Sequence, residues 1–216
     1  MCDSVNRLPE DKHNAITKPH DDVAAFVLAG GASTRMGCDK ALLELDGIPM
    51  LVRTIRLAEP HVASAVVVGP PERYALLGLE IIPDGWPGTG PLGGIVTALH
   101  ASSAEWNLIL GCDLPHLTKE WIKWLIARAR ESSTQAVVPE SQRGLEPLAA
   151  MYRKDCEPAF RAAVSRGVRR ISAALQEIVF EKVTARQWRG IEPADNLFQN
   201  ANTPGDFAEA QRRITR

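Results

Sequence analysis

The sequence has few cysteines, and their arrangement favours neither a disulfide framework nor a zinc site. Cys2, Cys38, Cys112 and Cys156 are far apart in the 216 residues, and no two of them form a C-x-x-C pair. Small secreted folds and structural zinc sites need closer, paired cysteines. We therefore expect reduced thiols, as in a cytoplasmic protein.

The chain also lacks an excess of charge of either sign. It has 25 Lys and Arg against 26 Asp and Glu, so its formal net charge is −1. Sequence-independent binding to nucleic acid requires a broad basic face that neutralises phosphates. The balance predicts no nucleic-acid partner and limits phosphate recognition to a local site.

Long apolar runs are missing as well. No run approaches the ~20 residues that a membrane-spanning helix needs, which predicts no membrane partner. Residues 1–22 are polar, contain two prolines and lack the apolar core of a signal peptide, so we expect a disordered tail there. We expect residues 23–216 to form a single domain.

Short apolar segments alternate with helical patterns from residue 23 onward. The patterns predict strands at 23–28, 65–68, 79–82, 106–110, 135–139 and 148–152, and helices at 49–59, 71–77, 91–102, 118–131, 155–165 and 204–213. This alternation predicts an α/β fold of three layers, α/β/α, around a Rossmann-like, mainly parallel twisted sheet. Ligands bind such sheets beyond the carboxyl ends of the strands, so loops 29–40, 83–91 and 111–116 should converge.

The loop after the first predicted strand reads LAGGASTRMGCDK from residue 28 to residue 40. Bare backbone at Gly30 and Gly31 can approach phosphate oxygens, and Arg35 and Lys40 add positive charge. The spacing matches neither G-x-x-x-x-G-K-[ST] nor G-x-G-x-x-G. We interpret the loop as a triphosphate site, and the alternative is an ordinary glycine-rich turn with solvated charges.

Two aspartates follow other predicted strands. Asp113 comes after 106–110, where one carboxylate beside a triphosphate suffices as a protein ligand for Mg²⁺; a capping or turn residue is the alternative. Asp84 precedes the glycine-rich segment 88–94, which leads into a helix N-terminus that would attract anions. Taken alone, this second segment contains only turn signals.

The segment LAGGASTRMGCDKALLELDG resembles the L-A-G-G-x-S-x-R-M-G-x-D-K signature of the molybdenum cofactor guanylyltransferase family. That family lies within the nucleotidyltransferase superfamily, whose fold is of the nucleotide-diphospho-sugar transferase type. The resemblance covers roughly residues 23 to 210. It continues in order through Ile82-Pro83-Asp84, Gly90-Pro91-Leu92-Gly93-Gly94, Cys112-Asp113-Leu114-Pro115, Glu146-Pro147-Leu148 with Tyr152, and Asn200-Ala201-Asn202-Thr203-Pro204.

The resemblance implies a role for each matching residue. The implied nucleotide-binding residues are Leu28, Ala29, Gly30, Gly31, Lys40, Asp84, Gly90, Pro91 and Leu92. The implied catalytic residues are Arg35, Lys40 and Asp113; Asp113 would also hold Mg²⁺, and Asn200 and Asn202 would lie near the metal and the acceptor. L-A-G-G with a Pro-Leu-small-Gly loop looks like the guanine form of the family, whereas its cytidylyl relatives resemble L-A-A-G.

The implied enzyme is a cytoplasmic, Mg²⁺-dependent guanylyltransferase that transfers GMP from GTP to molybdopterin and releases pyrophosphate. Transient contact with other molybdenum-cofactor proteins is also implied. Two alternatives stay open: another phosphorylated acceptor, such as a sugar phosphate, a small phospho-acid or cobinamide phosphate, or a nucleotide-binding module without turnover. Two departures bear on them, since Gly69 replaces an asparagine found in some members and Glu146 replaces a common glutamine.

Overall fold

The computed structural model describes residues 22–30, 39–188, 190–191, 196–201 and 203–214. Within these ranges the strands are β1 (Val23–Leu28), β2 (Glu44–Leu45), β3 (Ile48–Pro49), β4 (Ser64–Val68), β5 (Ile81–Ile82), β6 (Trp106–Gly111), β7 (Ala136–Ser141), β8 (Gly144–Leu145), β9 (Ala149–Arg153) and β10 (Phe180–Thr184). The α-helices are α1 (Met50–Ala58), α2 (Pro71–Tyr74), α3 (Pro91–Ala101), α4 (Lys119–Glu131), α5 (Glu157–Ser165), α6 (Ile171–Ala174) and α7 (Pro204–Ile214). Short 3₁₀ helices cover Lys40–Leu42, Glu59–His61, Ala75–Leu77, Lys154–Cys156 and Leu175–Glu177.

One sheet organises the molecule, with strand order β10-β7-β9-β6-β1-β4-β5 and β8 paired to β7. The pairs β1–β4, β1–β6, β4–β5 and β7–β10 are parallel, whereas β9 runs antiparallel to both β6 and β7. The chain order reverses at β1, between β4 and β6. That is the switch point at which open α/β sheets bind ligands.

Alternate residues of β1 enter two different cores, because successive side chains of a strand point to opposite faces. Val23, Ala25 and Val27 pack with α1 and α4 on one face. Ala24 and Phe26 pack with α3, α5 and α6 on the other. Helices on both faces of a mainly parallel sheet confirm the predicted three-layer α/β/α class.

Helix α4 carries an aromatic cluster on the first face. Trp121 stacks on Trp124 with ring centroids 5.2 Å apart, and the edge contacts of Trp121 with Trp188 and Phe198 measure 5.0 and 5.1 Å. Thr118 caps the helix, because its hydroxyl accepts a hydrogen bond from the Trp121 amide at 3.2 Å. The cluster ties segment 196–201 to the body of the domain.

Several observed elements differ from the predicted bounds. The strand predicted at 79–82 is limited to Ile81–Ile82, and the helix predicted at 71–77 divides into α2 and a 3₁₀ turn. The helix predicted from residue 155 begins with a 3₁₀ turn and becomes α-helical at Glu157. The β2–β3 hairpin, β8, β10 and α6 were not predicted.

The described part of the chain begins at Asp22. Asp22, at the edge of the predicted tail, pairs with Arg130 at 2.6 Å, and residues 1–21 lie outside the described ranges. None of the helices in the described part of the chain combines the length and the apolar character needed to cross a membrane.

Candidate active site

Beyond the paired strands β1 and β4, the two chains stay in close contact at residues that have no side chain, Gly30 and Gly69. The amide of Ala29 donates to the carbonyl of Val68 at 2.9 Å. Gly30 has a φ of +102°, and a Cβ there would lie 2.7 Å from Cδ of Pro70. A side chain at position 30 would therefore be both strained and obstructed, so the L-A-G-G motif needs glycine here for packing as well as for any ligand.

Gly69, the first departure from the family pattern, belongs to the same close approach. A Cβ at this position would lie 2.7 Å from the carbonyl oxygen of Ala29. The Gly69 amide donates to the carbonyl of Ile82 at 3.0 Å, which joins the ends of β4 and β5. An asparagine at position 69 would thus not fit this backbone without a local shift.

Asp39, the residue that precedes Lys40, accepts three hydrogen bonds. Its Oδ1 accepts from the Ala41 amide at 3.1 Å, and its Oδ2 accepts from the Tyr74 hydroxyl at 2.9 Å and from the Arg73 guanidinium at 3.2 Å. Burial, with the bond to Asp39, raises the pKa of Tyr74. The phenol therefore remains a donor at neutral pH and fixes the 3₁₀ turn that begins at Lys40.

Asp84 is held by the loop and helix that follow it. Its Oδ1 accepts from the Trp86 amide and from the Thr97 hydroxyl, each at 2.9 Å. The Thr97 hydroxyl also accepts from the Gly85 amide at 3.0 Å and lies 2.9 Å from the carbonyl of Gly93. The carboxylate is thereby oriented at the mouth of the 84–90 loop.

The loop 86–90 packs tightly on the first turn of α3. A Cβ at Gly93 would lie 1.9 Å from Oγ1 of Thr89 and 2.8 Å from the carbonyl oxygen of Trp86. A Cβ at Gly94 would lie 3.1 Å from Cδ1 of Leu28. The two glycine motifs, far apart in sequence, therefore meet at the Leu28 side chain.

Gly90, Pro91 and Leu92 form the N-terminus of α3. Gly90 is the N-cap with a φ of +71°, and Pro91 occupies the first helical position, where its missing N–H costs nothing. The Leu92 side chain is fully buried under the sheet. Leu92 therefore offers a ligand its backbone, not its side chain.

Asp113 lies just beyond β6, next to the carboxyl end of β1 and the amino end of β9. Its Oδ2 accepts from the side-chain amide of Asn200 at 3.2 Å, and its carbonyl accepts from the Ala201 amide at 3.0 Å. The Gly111 amide donates to the carbonyl of Leu148 at 2.8 Å, and a Cβ at Gly111 would lie 2.9 Å from Oδ1 of Asp113. Gly111 thus leaves room for the carboxylate.

The pKa of the Cys112 thiol, in the residue before Asp113, is influenced by the charged side chains around it. Burial raises the pKa of the Cys112 thiol to about 12, and the negative charges of Asp113 and Asp39 add to this rise. The positive charge of Lys40 acts in the opposite direction. Lys40 and Asp113, from the first and third predicted loops, therefore lie close enough to the same thiol to influence its ionisation.

Glu146, the second departure, lies at the start of the segment that leads into β9. Its Oε1 accepts from the Ser141 hydroxyl at 2.6 Å. Burial raises the pKa of Glu146 and the charge of Asp113 adds to the rise, whereas the Ser141 bond and the charge of Arg143 oppose it. The Glu146 carboxylate is thus close enough to Asp113 to be affected by its charge, and the positive charge of Arg143 partly offsets the negative charge of Glu146.

The arrangement around Asp113 suits a magnesium ion that is held mainly by substrate phosphates. Asn200 bonds to Oδ2, whereas Oδ1 has no donor among the described residues. In the same part of the chain, no three His, Cys, Asp or Glu side chains come together as a metal cage. Mg²⁺ is commonly bound by one or two carboxylates plus phosphates and waters, so Asp113 meets its requirement.

Three predicted site residues, Gly31, Arg35 and Asn202, lie outside the described ranges. Three supporting contacts were not predicted from the sequence: Thr97 on Asp84, Tyr74 on Asp39, and the bond from Arg143 to the carbonyl of Phe198 at 3.2 Å. Thr97 could have been noticed in the sequence, because it is a polar residue inside the otherwise apolar helix α3. The other two act across 35 and 55 positions, which no local pattern reveals.

Comparison with known proteins agrees with this geometry. Residues 25–179 match the family described as "MobA-like NTP transferase domain". A curated protein from Deinococcus radiodurans, named "Probable molybdenum cofactor guanylyltransferase", is 35% identical over 88% of this chain and 95% of its own length. A protein of the same name from Trichormus variabilis is 34% identical over 88% of this chain and 91% of its own length.

A solved structure shares the fold. It is molybdopterin-guanine dinucleotide biosynthesis protein A from Archaeoglobus fulgidus, which matches with a TM-score of 0.78 at 24% identity over 89% of this chain and 98% of that chain. The family match covers most of the chain, and the curated relatives match almost end to end. The chain therefore belongs to the MobA-like NTP transferase family.

Proposed function

We propose that this protein transfers GMP from GTP to molybdopterin and releases pyrophosphate. Nucleotidyl transfer is the chemistry of the family, and the named relatives are guanylyltransferases for the molybdenum cofactor. The observation that carries the proposal is the meeting of two strand-end loops, since Lys40 and Asp113 both act on the Cys112 thiol at the switch point of the sheet. The contact of Leu28 with Gly94 connects the Asp84 loop and α3 to the same sheet edge.

The reaction is an in-line substitution at phosphorus. An oxygen of the terminal phosphate of molybdopterin forms a bond to the α-phosphorus of GTP, and the bond from that phosphorus to the β-phosphate oxygen breaks. The electron pair leaves with pyrophosphate. No nucleophilic side chain is needed, because the attacking phosphate monoester is already an anion near neutral pH.

The protein's task is to position two polyanions and to offset their charge. The Gly30 backbone and the N-terminal turn of α3, with its positive dipole end, would contact the nucleotide phosphates. Lys40, with Arg35 as the family pattern implies, neutralises charge on the α-phosphate and the leaving group. Asp113, oriented by Asn200, would hold Mg²⁺, which when bound supplies further charge neutralisation to the phosphate oxygens.

We assign guanine as the base on the two glycine motifs. L-A-G-G at 28–31 and Pro91-Leu92-Gly93-Gly94 resemble the guanine form of the family. Their contact between Leu28 and Gly94 supports a single pocket built from both. We also propose a cytoplasmic location and transient contacts with other molybdenum-cofactor proteins.

The test is pyrophosphate release with GTP, CTP and ATP in turn, each with and without molybdopterin and each with and without Mg²⁺. Release that needs GTP, molybdopterin and Mg²⁺ together is the expected result. Pyrophosphate release with a sugar phosphate in place of molybdopterin would mean that the acceptor is a sugar phosphate. Tight GTP binding without release under any of these conditions would reject the transferase activity.

A further inference from the structure

The hairpin β7–β8 contacts the segment that carries Asn200. The Arg143 guanidinium, in the turn of this hairpin, donates to the carbonyl oxygen of Phe198 at 3.2 Å. Two residues further on, Asn200 donates to Asp113. The distance along the chain from Arg143 to Phe198 is 55 positions, so the contact joins two separate parts of the fold.

The turn itself is braced. The Ser141 hydroxyl accepts from the Arg143 amide at 3.0 Å and donates to Glu146 at 2.6 Å. Gly144 has a φ of +110°, which allows the tight reversal between β7 and β8. The Arg143 side chain therefore extends from an ordered turn and not from a free loop.

Segment 196–201 is held from two sides. The Phe198 ring lies buried against Trp121 and Trp188, with centroid distances of 5.1 and 5.7 Å, while its carbonyl receives Arg143. In the sequence, only Gln199 separates Phe198 from Asn200, the residue that bonds to Asp113. A segment held so close to Asn200 limits the positions that the side-chain amide can take.

We propose that Arg143 is a positioning residue, which holds segment 196–201 so that Asn200 keeps Oδ2 of Asp113 bonded and Oδ1 turned toward the nucleotide phosphates. The guanidinium bonds to a backbone carbonyl, which assigns it a role in holding the segment. The expected effect of Arg143 on turnover rests on the proposed function. The contact to segment 196–201 is independent of the reaction.

Replacing Arg143 should lower the turnover rate and leave nucleotide binding unchanged. In Arg143→Ala, kcat for pyrophosphate release should fall about tenfold, the scale expected when a hydrogen bond from a charged donor is lost. The Mg²⁺ concentration for half-maximal rate should rise, whereas KM for GTP should stay within about twofold, because the 84–94 segment is untouched. Arg143→Lys, which keeps the charge and a donor, should recover most of the rate.

A double-mutant cycle tests whether Arg143 acts through Asn200. If it does, Arg143→Ala should cost much less in an Asn200→Ala background than in the wild type. Equal losses in both backgrounds would overturn the proposal. Arg161→Ala is the control, because Arg161 is an exposed, ion-paired arginine on α5, on the opposite face of the sheet.

Tryptophan emission provides a readout that needs no turnover. Release of Phe198 should shift the emission of Trp121 and Trp188 or increase its quenching by acrylamide in Arg143→Ala but not in Arg161→Ala. Unchanged emission together with wild-type kcat would reject the proposal. If the wild type releases no pyrophosphate, the proposed function fails, and the emission comparison still decides whether Arg143 holds the segment.

Discussion

Asn200 donates its side-chain amide to Oδ2 of Asp113 at 3.2 Å, across 87 positions of sequence. The bond joins the end of β6 to the last segment before α7. Asn200 bonds to one carboxylate oxygen, while the other lies beside Gly111, where a Cβ would come within 2.9 Å of it. The pairing therefore fixes the orientation of a strand-end carboxylate.

Asp113→Asn should lower the rate of pyrophosphate release by about 100-fold or more, because removal of one preorganised electrostatic partner commonly costs that much. The shape of the side chain is preserved, so circular dichroism and the melting temperature should change little. Asp155→Asn is the matched control, since Asp155 is an exposed aspartate that pairs with Arg153. A rate within about twofold of the wild type in Asp113→Asn would contradict the assignment of the metal ligand.

Gly93→Ala should destabilise the domain by about 1–3 kcal/mol, the usual cost of forcing extra atoms into packed structure. The added Cβ would collide with backbone at Trp86 and with Thr89, so the 86–90 loop must move. KM for GTP should rise in parallel, which steady-state kinetics and thermal melts can measure. Gly205→Ala, where the nearest atom would lie at 3.6 Å, should leave both quantities nearly unchanged.

Glu146 predicts a pH-dependent difference in stability. Its pKa is raised in the folded state from the ordinary value of 4.5, chiefly by burial. An acid whose folded pKa lies above its unfolded pKa binds its proton more tightly when folded, so its ionisation destabilises the fold as the pH rises through this interval. The penalty is complete above the folded pKa and absent below 4.5.

Glu146→Gln should therefore be more stable than the wild type at pH 8, and the difference should shrink as the pH falls through the folded pKa and disappear below 4.5. Urea unfolding at a series of pH values measures it. Glu72→Gln, an exposed glutamate on α2, is the control and should show no such trend. A variant less stable than the wild type at pH 8 would mean that the Ser141 and Arg143 contacts outweigh burial.

The Cys112 thiol should react slowly with iodoacetamide in the folded protein. A thiol pKa of about 12 against the ordinary 9.0 reduces the reactive thiolate on the order of a thousandfold at pH 8. Peptide mapping by mass spectrometry can follow Cys112 separately from the other cysteines. Unfolding in urea should restore rapid labelling, and equal rates in both states would show that the thiol is not protected.

Strands β1, β4 and β6 could be predicted almost to the residue, because each is a run of apolar residues that ends at glycine. The β2–β3 hairpin was missed although Asp46-Gly47 is a common hairpin turn, and Asp46 indeed has a φ of +54°. The sequence of β10, Phe180–Thr184, mixes charged and apolar residues too evenly to be distinguished from a loop. The antiparallel direction of β9 leaves no mark on its residue pattern, because side chains alternate identically in both directions.

The sequence by itself determined the fold class, the strand ends and the residue types at them, because backbone and side-chain preferences act over a few residues. Lys40, Asp84 and Asp113 could be singled out for that reason. Only the tertiary structure decided which side chains support them: Tyr74 on Asp39, Thr97 on Asp84, and Asn200 with Arg143 at Asp113. These bonds join residues from 13 to 87 positions apart, and folding of the sheet is what brings them within hydrogen-bond distance.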